Sequence, residues 1–172
     1  MPAIVVYESL WGNTAAIAHA IGEGIGEGTL VRHTGEIEPA EAASAHLLVL
    51  GAPVHAFNLP TESSKKSVAE RPLTPGDFAP DVSQPPLRAW LEGLPQASAV
   101  AAAFDTRVRG PLGHGGASRI EKALTELGYR IADRSQGFYI VNQKNVKAAA
   151  SMLRAGEIDR AHEWGQLLAS RA

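Results

Sequence analysis

The sequence predicts an α/β protein built on a parallel β-sheet with helices on both faces. Three observations predict it. The strand-like segments, such as Ala3 to Tyr7 (AIVVY) and Leu47 to Leu50 (LLVL), are apolar at every position, the pattern of strands covered on both sides. Segments of helical periodicity separate them, and the alternation of strand and helix repeats five times. The chain of 172 residues is 45% hydrophobic and 20% charged, which suits one domain spanning residues 1–172 with a substantial core.

Each element follows in order. Ala3 to Tyr7 is the first strand. Ala15 to Ile25 is a helix marked by Ile17, Ile21 and Ile25, and the glycines at 22, 24, 26 and 28 are expected to break it. Leu30 and Val31 begin a second strand that ends near His33. Pro39 to Ser44 has the composition of a short helix, and Leu47 to Leu50 is a third strand closed by Gly51. Ala52 to Pro86 carries seven prolines. A connection of that length is expected to be functional, with a short helix at Thr61 to Glu70. Pro86 to Leu94 reads as a helix with proline at its start. Ser98 to Phe104 is a fourth strand. Ser118 to Leu127 is a helix ended by Gly128. Tyr129 to Ala132 and Gly137 to Val141 form a fifth, broken strand. Glu157 to Ala169 is the last helix, with Ile158, Ala161, Gly165 and Leu168 expected to face inward.

Composition excludes several functions. A net charge of -2 and a pI near 6.3 argue against nucleic acid as a partner. The absence of cysteine excludes disulfides, thiolate catalysis and thiolate metal sites. The longest apolar run, Ala99 to Phe104, is too short to span a bilayer. The first strand begins at Ala3 and leaves no room for a signal peptide, so the expected compartment is the cytoplasm.

In parallel sheets of this kind, ligands bind outside the carboxyl ends of the strands. Glu8 to Thr14, Ala52 to Pro60 and Asp105 to Gly116 fall there. In the first, a helix starting at about Asn13 or Thr14 aims its free N–H groups back into the turn. Gly12 allows close backbone approach, and Ser9, Asn13 and Thr14 add neutral donors. This is an anion cradle without lysine or arginine. It has neither the Gly-Lys-Ser/Thr ending of a P-loop nor the spaced glycines of a dinucleotide fingerprint. A phosphate monoester is the expected ligand.

Here Ser9-Leu10-Trp11-Gly12-Asn13-Thr14 resembles the phosphate loop of the flavodoxins, Thr/Ser-x-Thr-Gly-x-Thr after strand one. The first hydroxyl, the glycine, the final threonine and the position match; Trp11 replaces a hydroxyl. The segment VLGAPVHAFNLP after strand three resembles the loop beside the flavin. The likeness extends over nearly the whole chain. It implies a three-layer flavodoxin-like fold with a five-stranded parallel sheet in the order 2-1-3-4-5, and FMN as the cofactor. Carried onto this sequence, it implies FMN contacts from Ser9, Leu10, Trp11, Gly12, Asn13 and Thr14; from Pro53, Val54, His55, Ala56 and Phe57; and from Asp105, Thr106, Arg107, Gly110 and His114. Two departures stand out. The fourth loop lacks the Asp-x-x-x-Tyr that supplies a stacking tyrosine, and the chain is less acidic than typical flavodoxins.

The resemblance implies electron transfer through bound flavin to a redox partner protein or a small donor or acceptor, by a monomer or homodimer with no membrane partner. No catalytic side chain and no metal is required. Arg107, Arg109 and His114 form a basic loop, from which a cation at the flavin edge would stabilise the reduced, anionic ring. Two alternatives remain: a flavin-dependent NAD(P)H or quinone oxidoreductase, and a flavin-free binding module on the same fold. A hydrolase using Ser9, His55 and Asp105 lacks the Gly-x-Ser-x-Gly elbow.

Overall fold

The computed structural model describes residues 1–54, 58–110, 115–141 and 146–172. In chain order the elements are β1 (Ala3–Tyr7), α1 (Asn13–Ile25), β2 (Leu30–His33), α2 (Pro39–Ala42), β3 (Leu47–Pro53), α3 (Glu62–Ala69), α4 (Leu87–Glu92), β4 (Val100–Val108), α5 (Gly116–Glu126), β5 (Arg130–Ile131), β6 (Gln136–Ile140) and α6 (Glu157–Ala169). The sheet order is β2-β1-β3-β4-β5, with β6 also paired to β4 and every named pairing parallel. β5 pairs at Val100 and Ala101, and β6 at Phe104 to Val108, so the expected fifth strand is two short strands along one partner.

The apolar runs bury on both faces, as doubly covered strands must. Val5, Val49, Phe104 and Phe138 pack on one side against Ile17 and Ile21 of α1 and Ala161 and Trp164 of α6. Ile4, Val6, Leu48 and Leu50 pack on the other against Leu91 of α4 and Ile120 and Leu124 of α5. Gly51 lies under the Phe104 ring, which a Cβ there would overlap.

Three expectations change. The glycines at 22 and 24 do not break α1, which ends at Ile25 as expected, where Gly26 takes φ 121°. Their role is packing: a Cβ on Gly22 would overlap a Val31 methyl of β2, while one on Gly24 would overlap the carbonyl oxygen of His162 and one on Gly165 that of Ile21. Two helices thus cross backbone to backbone. In α6, Ile158 is 42% exposed, and Trp164 takes the inward place beside Ala161, Gly165 and Leu168. β4 runs on to Val108, because Asp105, Thr106 and Arg107 stay in register with β3 and β6.

The long proline-bearing connection is tied to the carboxyl end of β1. A capping box starts α3: the Thr61 hydroxyl accepts from the Ser64 N–H, and the Ser64 hydroxyl accepts from the Thr61 N–H. Lys65 of α3 is 2% exposed and donates to the Gln84 carbonyl, with its Nζ 3.9 Å from Glu8 Oε1. Glu8 is fully buried, and its Oε2 accepts from the Leu87 N–H at 3.0 Å.

Two predictions come from this packing. Gly165→Ala inserts a methyl where only backbone could yield, and should cost about 1–3 kcal/mol in urea unfolding. Gly22→Ala, which meets mainly a Val31 methyl, should cost less; equal costs would mean that the α1–α6 crossing is looser than described. The second prediction concerns Glu8. Burial pushes its carboxyl up from 4.5 to about 7, against the opposing pull of the Leu87 N–H and Lys65. The folded chain therefore keeps this proton where the unfolded chain has released it. Stability from this group is greatest at low pH, falls as pH rises toward about 7, and is flat above. Lys65→Met removes the buried counter-charge. It should cost about 3–5 kcal/mol at alkaline pH and carry the fall in stability beyond neutrality. Unfolding midpoints against pH that overlay those of the parent would contradict this.

Candidate functional site

The turn from β1 into α1 is shaped by Gly12, whose φ of 83° is left-handed and costs glycine little. The Gly12 N–H donates to Ser9 Oγ at 3.1 Å, and its carbonyl accepts from the Ala16 N–H at 2.9 Å, opening the helix. Asn13 and Thr14 occupy the first helical turn and are 5% and 1% exposed. The first N–H groups of α1 have no intrahelical acceptor and point into the turn.

Distant parts of the chain hold this turn. The Ser9 N–H donates to Gln84 Oε1 at 2.9 Å, and the Leu10 carbonyl accepts from the Asp81 N–H at 2.7 Å. Thr14 Oγ1 and Thr106 Oγ1 are hydrogen-bonded at 2.7 Å. Asn13 Oδ1 accepts from the Met152 N–H at 3.2 Å, and the Trp11 carbonyl accepts from the Ala150 N–H at 2.9 Å. A Cβ on Gly12 would lie 3.2 Å from Ala149 Cβ and 3.1 Å from Ala150 N. Gly12 is therefore required by its own φ and by these neighbours, before any ligand is considered.

These contacts enclose a chamber of about 50 Å³, lined by Ser9, Leu10, Trp11, Asn13, Thr14, Pro53, Val54, Thr106, Ile140 and Met152. It has room for a small polar group and not for a ring system. Its polar lining is hydroxyl, amide and helix N–H, with no charged side chain among the described residues. The Asn13 amide nitrogen has no partner among the described residues. This donor set fits a phosphate monoester: neutral donors converge at the positive end of a 13-residue helix.

The sequence-derived site residues fall into separate groups. The structure brings together Ser9, Leu10, Trp11, Asn13 and Thr14 with Pro53, Val54 and Thr106 around the chamber, and Gly12 forms the turn. Asp105 and Arg107 point to the opposite face. Asp105 is fully buried; its Oδ2 accepts from the Ala117 N–H at 2.8 Å at the start of α5, and its Oδ1 lies 3.3 Å from Arg107 Nε. Burial pushes its carboxyl up to about 6, offset in part by the Ala117 N–H and by Arg107. The Arg107 guanidinium lies between Gly115 and Gly137, where a Cβ on either would overlap it. Arg109 is exposed, 5.8 Å from the Tyr139 ring centroid, and Gly110 is exposed with open space around it. His55, Ala56, Phe57 and His114 lie outside the described residues.

Sequence reasoning missed Gln84, Ala150 and Met152. Their contacts with the turn span 75 residues for Gln84 and 139 for Met152, and no local pattern marks them. Glu8 did carry a signal, as a carboxylate abutting an apolar strand. Among the described residues, no group of three or more His, Asp or Glu could hold a metal ion, and no helix is long and apolar enough to cross a membrane.

No family model and no curated relative matches the sequence. Solved structures do. An archaeal flavodoxin aligns with a TM-score of 0.64 at 20% identity, covering 99% of this chain and 97% of that one. The flavodoxin of Streptococcus pneumoniae TIGR4 aligns at 0.67 and 12% identity, and flavodoxin 2 of Bacillus cereus at 0.67 and 14% identity, each over 100% of both chains. At such identities the likeness is one of fold. With its 2-1-3-4-5 sheet, its helices on both faces and the added pairing of β6, this chain has the flavodoxin-like fold.

Proposed function

We propose that this chain binds FMN through the turn at residues 9–14 and works as a redox protein. The observation that carries the reading is the phosphate-sized chamber at the amino end of α1, lined by Ser9, Asn13, Thr14 and Thr106 and by no charged side chain among the described residues. The flavodoxin-like fold adds to it, since ligands of such sheets bind beyond the carboxyl ends of the strands. Bound FMN would supply the electron-transfer chemistry. Ser9, Asn13 and Thr14 would hold the phosphate, and Pro53, Val54 and Thr106 would wall it on the β3 and β4 side. Arg107 carries Asp105 as its counter-charge, so the cation expected near the ring is largely neutralised. Arg109 is the more exposed cation at that strand end.

A second reading, a flavin-dependent oxidoreductase acting on a quinone or NAD(P)H, draws on apolar exposure at the same edge. Val108 is 49% exposed and Val141 40% exposed, at the ends of β4 and β6. Such a rim suits a flat apolar acceptor as well as a protein partner. Saturable turnover with a soluble quinone would favour the enzyme, and reduction only through a partner protein the carrier.

The phosphate reading predicts a preference for FMN over riboflavin. Each charge-assisted hydrogen bond is worth about 1.5–3 kcal/mol, so fluorescence titrations should give a far lower dissociation constant for FMN. Thr14→Val should weaken FMN about tenfold or more and leave riboflavin nearly unchanged. Equal affinities of the parent chain for the two flavins would contradict the proposed role of the turn.

A further inference from the structure

Residues 149–152 lie against the 9–14 turn, with Met152 also lining the chamber, and their hydrogen bonds have a consistent sense. The Ala150 N–H donates to the Trp11 carbonyl at 2.9 Å, and the Met152 N–H donates to Asn13 Oδ1 at 3.2 Å. Both bonds take up acceptors of the turn, and none takes up a donor. A backbone N–H can only donate, so the Asn13 amide must turn its oxygen to Met152. Its nitrogen, unpartnered among the described residues, is the polar end left to the chamber. Asn13 is 5% exposed, so that orientation is fixed inside the protein and not at a solvated surface.

The segment is anchored independently of the turn. The Val146 carbonyl accepts from the Phe78 N–H at 2.7 Å, the Met152 carbonyl accepts from the Val141 N–H at 2.7 Å, and Leu153 bridges to Ile140. Lys147 pairs with Asp77. Ala150 keeps a φ of 56°, the only positive φ of a non-glycine residue among those described. A side chain held in that region signals a position over-determined by its surroundings.

We propose that residues 149–152 form a positioning strap for the phosphate turn. By occupying the Trp11 carbonyl and the Asn13 oxygen, the strap removes two acceptors from the turn, which favours a phosphate over a ligand that donates. This inference rests on the FMN reading above and adds to it a part of the chain 139 residues away from Asn13. The opposite arrangement is a plug that the ligand must expel, and the two differ in what ligand does to the strap.

Hydrogen exchange at the Ala150 and Met152 amides of the unaltered chain separates them, alone, with saturating FMN and with saturating riboflavin, after affinities are measured. A positioning strap is already protected without ligand, and FMN should slow its exchange by roughly tenfold or more, while riboflavin should change it little. In support, Met152→Pro, which deletes the N–H, should cut the preference for FMN over riboflavin roughly tenfold, the worth of one hydrogen bond; Met152→Leu should keep it. Exchange that FMN accelerates or leaves unchanged overturns the inference and leaves the FMN reading standing. A parent chain that binds neither FMN nor inorganic phosphate overturns both.

Discussion

The turn between β1 and α1 is held in shape by groups from elsewhere in the chain. Its one internal hydrogen bond, from the Gly12 N–H to Ser9 Oγ, would not fix six residues against the entropy of a free loop, about 1–2 kcal/mol per residue. The fixing comes from three directions. Gln84 and Asp81 hold Ser9 and Leu10 from the proline-bearing connection, Thr106 holds Thr14 from β4, and Ala150 and Met152 hold Trp11 and Asn13 from beyond β6. The buried Glu8–Lys65 pair fastens the connection that carries Gln84. A disturbance in any of these segments reaches the turn.

The electrostatics divide by face. The α1 face of the strand ends offers neutral donors around the chamber. The α5 face carries the buried carboxylates Glu8 and Asp105, one beside Lys65 and the other beside Arg107. One oxygen of each carboxylate, Glu8 Oε1 and Asp105 Oδ1, has no hydrogen bond among the described residues. Such groups are costly unless their charge is compensated, which accounts for a buried lysine and a largely covered arginine at these places. Each carboxylate is compensated by its own cation on the α5 face, and among the described residues the chamber beside α1 is left to dipoles and hydroxyls.

Much of this was legible in the sequence. The continuous apolar runs gave the doubly covered strands, and β-branched Ile17 and Ile21 gave the inner face of α1. The Ser-Leu-Trp-Gly-Asn-Thr turn was legible because a glycine with left-handed φ and the hydroxyl and amide residues around it must stand in sequence at the turn itself. The glycines at 22 and 24 were misread because composition cannot say whether a missing side chain marks an end or a close approach; here Gly22 marks the approach of Val31 and Gly24 the crossing with Gly165. Asp105, Thr106 and Arg107 read as loop because they are polar, yet each has a tertiary reason to stay in β4: a helix start to cap, a hydroxyl to meet and a carboxylate to pair with. Ile158 gave way to Trp164, whose indole N–H reaches Asp133 at 2.9 Å. The contacts of Gln84 and Met152 left no mark in the sequence, because nothing in the local pattern at either end anticipates the other.

The central claim is that a neutral turn, held from outside, seats the phosphate of FMN. Its most direct test is an absorption spectrum of the chain after incubation with FMN and gel filtration. The account predicts a yellow protein fraction with near-equimolar flavin, bleached by dithionite and released when the turn is disrupted. A colourless protein fraction, with all the flavin in the small-molecule volume, would contradict it.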